Sequence, residues 1–64
     1  MKLKNIKVGV AVQPKASYHK MYPELPKHST IERIVSGLVY LDNEPADTCY
    51  TLDYFAENYK RIKE

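Results

Sequence analysis

The sequence predicts a small all-β domain of about five strands, and two observations carry most of that prediction. Near the start of the chain, the apolar residues at positions 6, 8, 10 and 12 alternate with glycine, alanine or polar residues. In the middle, two runs rich in β-branched and apolar residues flank Ser36-Gly37. Alternation with a period of two is typical of a half-buried strand, and glycine between two such runs is typical of a hairpin.

The first strand is predicted over residues 5–13, and Pro14 ends it because proline cannot donate a hydrogen bond to the ladder. Residues 14–29 hold three of the four prolines and no sustained periodicity, so they are predicted to form a long loop. A loop of this length in a small domain indicates either a function or packing of its own side chains. We expect Met21, Tyr22 and Leu25 to turn inward and hold it.

Residues 30–35 and 38–42 are predicted to be the second and third strands, joined by the tight turn at Ser36-Gly37. Ile31 and Ile34 are three residues apart, which breaks strict alternation. A β-bulge in the second strand would bring both side chains to the core, and such a bulge is typical of a small, tightly curved barrel.

The remaining segments are a polar turn over residues 43–48, a short fourth strand over 49–52, and an ambiguous end. Apolar residues at positions 52, 55, 59 and 62 have helical spacing, and Thr51 or Asp53 can cap the start. One interpretation is therefore a β-meander packed on a helix over residues 52–62. The favoured one is a single helical turn near residues 53–57, followed by a closing strand over 59–63.

Three stretches carry a resemblance to a known class of domain: "IKVGVAVQPK" (residues 6–15), "STIERIVSGLVYLDN" (29–43) and "YTLDYFAENYKRI" (50–62). Together they resemble small SH3-like barrels with KOW-type sequences, from about residue 5 to residue 63. The chain is also similar to small proteins of bacteriophages and prophages. The resemblance implies a five-stranded SH3-like barrel with one short helical turn before the last strand. Ser29 stands where such barrels usually carry glycine, and the absence of tryptophan argues against a peptide-binding signalling SH3 domain.

Size and composition limit the kind of protein further. Sixty-four residues make one domain, over residues 1–64, with a thin core. The lack of a long apolar run predicts a soluble, cytoplasmic protein without membrane attachment. The single cysteine, Cys49, excludes an internal disulfide framework.

Charge is distributed unevenly along the chain. Residues 1–31 carry six lysines and one acid, whereas residues 32–64 carry four bases and seven acids, so the halves have net charges of +5 and −3. Such an asymmetry attracts an anionic partner only if the fold gathers the lysines on one face.

No arrangement of catalytic or metal-binding residues stands out in the sequence. His19, His28 and Cys49 lack the spacing of a structural zinc site, and the two glycines are too few for a phosphate-binding loop. We therefore predict a protein that is not an enzyme and needs no metal or cofactor. The prediction is a small binding module for an unknown protein partner, acting as a modulator of that protein.

The alternative function is nucleic-acid binding, because lysines contact phosphates and exposed aromatic rings stack on unpaired bases. For either function, the residues predicted to contact the partner lie in the stretch "ASYHKMYPELPKHST" (residues 16–30) or directly before it. They are Lys15, Tyr18, His19 and Lys20.

Overall fold

A computed structural model describes residues 1–62 of the chain, in which five strands form one antiparallel sheet with the order β4-β3-β2-β1-β5. The strands are β1 (Ala11–Pro14), β2 (Ser29–Val35), β3 (Leu38–Leu41), β4 (Tyr50–Thr51) and β5 (Tyr59–Arg61). Two short helices, α1 (Ala16–Met21) and α2 (Leu52–Asn58), and a 3-10 turn over Leu3–Asn5 complete the described part. The predicted β-rich fold, with a short helix before the last strand, is confirmed. The sheet is open, with β4 and β5 as its edges.

The first strand is shorter than predicted and begins at Ala11 rather than near residue 5. Gly9 has a φ of 92°, which lets the chain turn before the strand starts. The turn breaks the predicted alternation, because Ile6 and Val12 are buried while Val8 is 62% exposed. The segment is still tied to β2, since the Gly9 N–H donates to the Ile31 carbonyl oxygen at 2.8 Å.

The segment predicted to be a long loop contains α1, so that prediction is wrong for residues Ala16–Met21. The helix follows Pro14 by two residues, and its C-cap, Tyr22, directly precedes Pro23. A residue before proline is disfavoured in the helical region of φ/ψ space, which explains where α1 ends. Six residues are too few for a sequence periodicity to be recognised, and α1 is held by the burial of Tyr18 rather than by intrinsic propensity.

The β2–β3 hairpin forms as predicted around Ser36-Gly37. Ser36 has a φ of 51° and Gly37 a φ of 76°, and positive φ at both central residues is typical of a type I′ turn. The predicted bulge is also present, as a register shift between Ile31 and Arg33. It leaves Ile31 buried and Ile34 packed against the core.

At the end of the described chain, a helix is followed by a strand, as in the favoured of the two interpretations of this segment. The Thr51 hydroxyl accepts a hydrogen bond from the Tyr54 N–H at 3.3 Å, so Thr51 is the N-cap. The helix ends at Asn58, and Tyr59–Arg61 pairs with β1. The alternative of a helix over residues 52–62 is therefore wrong. Lys63, the last residue predicted for this strand, lies outside the described residues.

The core lies between the sheet and α2 and is formed mainly by aromatic and β-branched side chains. Five side chains are almost fully inaccessible to solvent: Tyr59, Phe55, Ile31, Val12 and Val39. None of the helices over residues 1–62 is long and apolar enough to cross a lipid bilayer.

The type I′ turn makes a testable prediction. Gly37→Ala should lower the free energy of unfolding by about 1–2 kcal/mol, because a side chain is disfavoured in the left-handed region. A Cβ at Gly37 would meet no atom within 4 Å, so this loss is conformational and not steric. Ser36→Asn should raise the free energy of unfolding by up to about 1 kcal/mol, since asparagine tolerates positive φ better than serine. Urea denaturation measures both, and a neutral Gly37→Ala would contradict the turn geometry.

Candidate binding surfaces

A cluster of aromatic rings connects the two helices to the sheet. Tyr59 on β5 stacks on Phe55 of α2 with ring centroids 4.6 Å apart, and it also contacts Tyr18 of α1 at 5.7 Å and Tyr50 of β4 at 5.4 Å. Aromatic pairs at these separations are favourable beyond the area they bury. Four of the chain's seven aromatic side chains thus form one buried unit.

The phenol groups of this cluster hydrogen-bond to one another and to one carboxylate. The Tyr59 hydroxyl donates to the Tyr50 hydroxyl at 3.3 Å, and the Tyr50 hydroxyl donates to the Glu44 carboxylate at 2.9 Å. Burial is the main cause that raises the pKa of Tyr50 and of Tyr59 above the ordinary tyrosine value. Both phenols are therefore neutral at physiological pH and act as hydrogen-bond donors.

A surface groove lies between α1 and α2, on the outer side of the aromatic cluster. Met21 is 68% exposed and Tyr54 is 44% exposed, although both border the buried ring of Tyr18. The Tyr54 hydroxyl donates to the Tyr18 hydroxyl at 3.2 Å and joins the two helices across the groove. We call this surface the α1–α2 groove, and it is lined by Ser17, Tyr18, Met21, Tyr54, Glu57 and Asn58.

The four residues predicted to contact a partner do not form one surface. Tyr18 is buried, with only 8% of its surface exposed, and faces α2. His19 donates from Nε2 to the Leu25 carbonyl oxygen at 3.0 Å and faces a different depression. Lys15 is the half-buried N-cap of α1, and Lys20 is exposed. Consecutive helical residues point about 100° apart, which explains the separation. Partner contact by these four residues stays a prediction.

Two of the three side chains expected to turn inward, Met21 and Tyr22, are exposed, whereas Leu25 packs against the core as expected. The sequence does not predict the α1–α2 groove. Met21 was expected to turn inward and is instead the most exposed of the large apolar side chains, while Leu25 is half-buried against the core. Tyr22 is 40% exposed. A signal for Tyr54 is present, because Tyr54 falls outside the apolar positions 52 and 55 of α2 and is thus an aromatic residue on the polar face of a helix.

Possible metal and thiol chemistry is limited in the described structure. Within residues 1–62, no three histidine, cysteine, aspartate or glutamate side chains come close enough to share a metal ion. Cys49 is a free, partly buried thiol directly before β4.

Comparison with known proteins finds no relative of this chain. No family model matches the chain, and neither a curated protein nor a solved structure matches it.

The burial of Tyr18 makes a second prediction. Tyr18→Ala should lower the free energy of unfolding by about 3 kcal/mol or more, as is usual for removal of a buried aromatic ring. Tyr22→Ala, which removes a neighbouring but partly exposed ring, should cost less than about 1 kcal/mol. Thermal or urea denaturation distinguishes the two. Equal losses would contradict the inward position of Tyr18.

The Glu44 carboxylate makes a third prediction, on pH dependence. Burial raises the pKa of Glu44 above its ordinary value of 4.5, and the hydrogen bond from Tyr50 opposes this only in part. The folded state therefore keeps this proton to a higher pH than the unfolded chain, so the group's contribution to stability falls as the pH rises past 4.5.

Glu44→Gln removes this titration and keeps a hydrogen-bond acceptor. The free energy of unfolding of the variant minus that of the wild type should therefore increase between about pH 4 and about pH 7. Taking the difference cancels the titration of all other groups. A difference that decreases over this range would contradict the raised pKa.

Proposed function

We propose that this protein is a small, non-enzymatic binding module that takes a segment of a partner protein in the α1–α2 groove. The observation that carries the proposal is the exposure of Met21 and Tyr54 beside a buried aromatic ring. Methionine and tyrosine are enriched in protein–protein interfaces, and a small domain gains nothing in stability by leaving large apolar side chains in water.

The chemistry of the α1–α2 groove favours a partner segment with an apolar side chain and a lysine or arginine. Glu57 is the one acidic residue among the described side chains that line the groove. Asp53 lies one helical turn before it on α2, and both are exposed. An apolar side chain of the partner would cover Met21 and the ring of Tyr54, and a cation beside it would meet Glu57.

The size of the groove favours a weak, reversible interaction. Only two large apolar side chains, Met21 and Tyr54, are exposed there, so the contact would be well below the 1,200–2,000 Å² of a standard stable complex. Reversible binding of this kind fits a modulator of another protein, and by resemblance to bacteriophage proteins that partner would be a cytoplasmic protein of a host cell.

We also propose that the fold is a KOW-like SH3-like barrel. It is supported by the strand order β4-β3-β2-β1-β5, the tight hairpin with its bulge, and the short helix directly before the last strand. The described sheet differs from a closed barrel in one respect: its two edge strands, β4 and β5, do not pair with each other.

The alternative, nucleic-acid binding through Lys15, Tyr18, His19 and Lys20, has less support at those residues. A ring must be accessible on at least one face to stack on a base, and the Tyr18 ring is covered by Tyr22, Tyr54 and Tyr59.

A selection of peptides from a random displayed library, with the whole protein as bait, tests the proposal. The enriched peptides should share an apolar residue and a lysine or arginine. Met21→Glu should weaken their binding at least about tenfold, because a charge replaces the apolar floor of the contact. Val35→Glu is the matched control, since Val35 is also an exposed apolar residue but lies on β2, and this variant should leave binding unchanged.

Glu57→Lys tests the charge part of the same proposal. Repeated selection with this variant should enrich peptides that carry aspartate or glutamate in place of lysine or arginine. If no peptide is enriched, or if Val35→Glu weakens binding as much as Met21→Glu does, the α1–α2 groove is not the binding site.

A further inference from the structure

The fold gathers basic side chains from four separate parts of the chain along the edge strand β5. One depression beside β5 is lined by Lys2, Lys4, Lys60 and Arg61 together with Met1 and Asn5. A second depression is lined by His19, Lys27, His28 and Lys60 together with Gln13, Pro14 and Ala16. Lys60 lines both depressions, so the two adjoin each other at this residue. We call the seven basic residues the basic strip: Lys2, Lys4, His19, Lys27, His28, Lys60 and Arg61.

The basic strip has an unbalanced charge. None of the described residues that line the two depressions is acidic, although the chain as a whole carries eight acids. Five of the strip's residues are lysine or arginine, and all five are exposed. Grouping like charges on one face costs free energy through mutual repulsion, and a bound anion removes that cost.

The backbone that carries these side chains is held in place by hydrogen bonds. Lys60 and Arg61 lie on β5, which pairs with β1. The Asn5 N–H donates to the Lys2 carbonyl oxygen at 3.0 Å and closes the turn that carries Lys2 and Lys4. The Asn43 amide donates to the His28 carbonyl oxygen at 2.7 Å. The charges are therefore presented by ordered segments, which lowers the entropy lost when a ligand binds.

We propose that the basic strip binds the phosphate backbone of double-stranded nucleic acid. Lysine and arginine supply the contacts to phosphate. None of the described residues lining the strip is a tyrosine or phenylalanine, so the large aromatic rings on which successive bases of a single strand stack are missing there. A membrane surface is less favoured, because interfacial binding needs a broad apolar face and Leu3 is the one large exposed apolar side chain on the 3-10 turn.

The size of the protein and the number of charges in the basic strip predict the length of duplex covered and the salt dependence of binding. The protein measures 28 × 25 × 21 Å, so the strip covers less than one turn of duplex, which is about 34 Å long. Recognition of phosphates alone makes binding independent of base sequence. Contacts from five lysine and arginine residues would give a plot of log K against log salt concentration with a slope no steeper than about −4.5.

Fluorescence anisotropy with a labelled 12-base-pair duplex, titrated at several salt concentrations, tests this proposal. The wild type should bind at low salt, with similar affinity for unrelated sequences, and the slope should lie between about −3 and −4.5. Lys60→Gln with Arg61→Gln should make the slope about 2 units shallower, because two phosphate contacts are lost. Lys2→Gln with Lys4→Gln should make the slope shallower by the same amount. Because Lys2 and Lys4 lie outside β5, this second pair shows that the effect is not caused by a local change in β5.

Lys7→Gln with Lys20→Gln is the matched control. It removes the same net charge from exposed positions that do not line the basic strip and should leave the slope within about half a unit of the wild type. Circular dichroism and thermal denaturation confirm that every variant is folded.

Four results would overturn the proposal. They are the absence of duplex binding at low salt, an equal change of slope in the control pair, tighter binding of a 12-nucleotide single strand, and tighter binding to vesicles that contain phosphatidylserine. The last two would assign the basic strip to a different ligand. Because this surface and the α1–α2 groove share no residue, the peptide selection and the duplex titration can fail independently.

Discussion

The contact between Tyr59 and Phe55 is the interaction on which the rest of the structure depends. Their rings stack at 4.6 Å between α2 and β5, and the same Tyr59 ring contacts Tyr18 of α1 and Tyr50 of β4. A chain of this length buries too little surface to support several independent clusters. One aromatic unit therefore fixes both helices and both edge strands. These elements carry the α1–α2 groove and part of the basic strip, including Lys60 and Arg61 on β5.

The two surfaces have different physical origins. The α1–α2 groove exists because each short helix buries one aromatic side, through Tyr18 and Phe55, and leaves Met21 and Tyr54 facing water. The basic strip exists because β5 returns to pair with β1 and brings Lys60 and Arg61 beside lysines from the start of the chain. A charge asymmetry that is mild along the sequence thus becomes concentrated in space, with bases from both halves of the chain on one edge.

Sequence reasoning succeeded where the signal was local. The hairpin at Ser36-Gly37, the bulge after Ile31 and the cap at Thr51 each depend on residues within a few positions of one another. It failed for α1, because a six-residue helix stabilised by one buried ring has no periodicity of its own. It also failed for the first strand, where the positive φ of Gly9 interrupted an alternation that otherwise continued to Ile6.

By itself, the sequence determined a small β-rich domain with a central hairpin, a capped helix before the last strand and an uneven distribution of charge. Those properties follow from backbone preferences and from the spacing of apolar residues, which act over a few positions. The tertiary structure alone decided that Tyr18 is buried while Met21 is exposed, and that Lys60 joins lysines from distant segments in one strip. Such outcomes depend on which elements pack together, because burial and the gathering of charge are set by contacts between residues far apart in the chain.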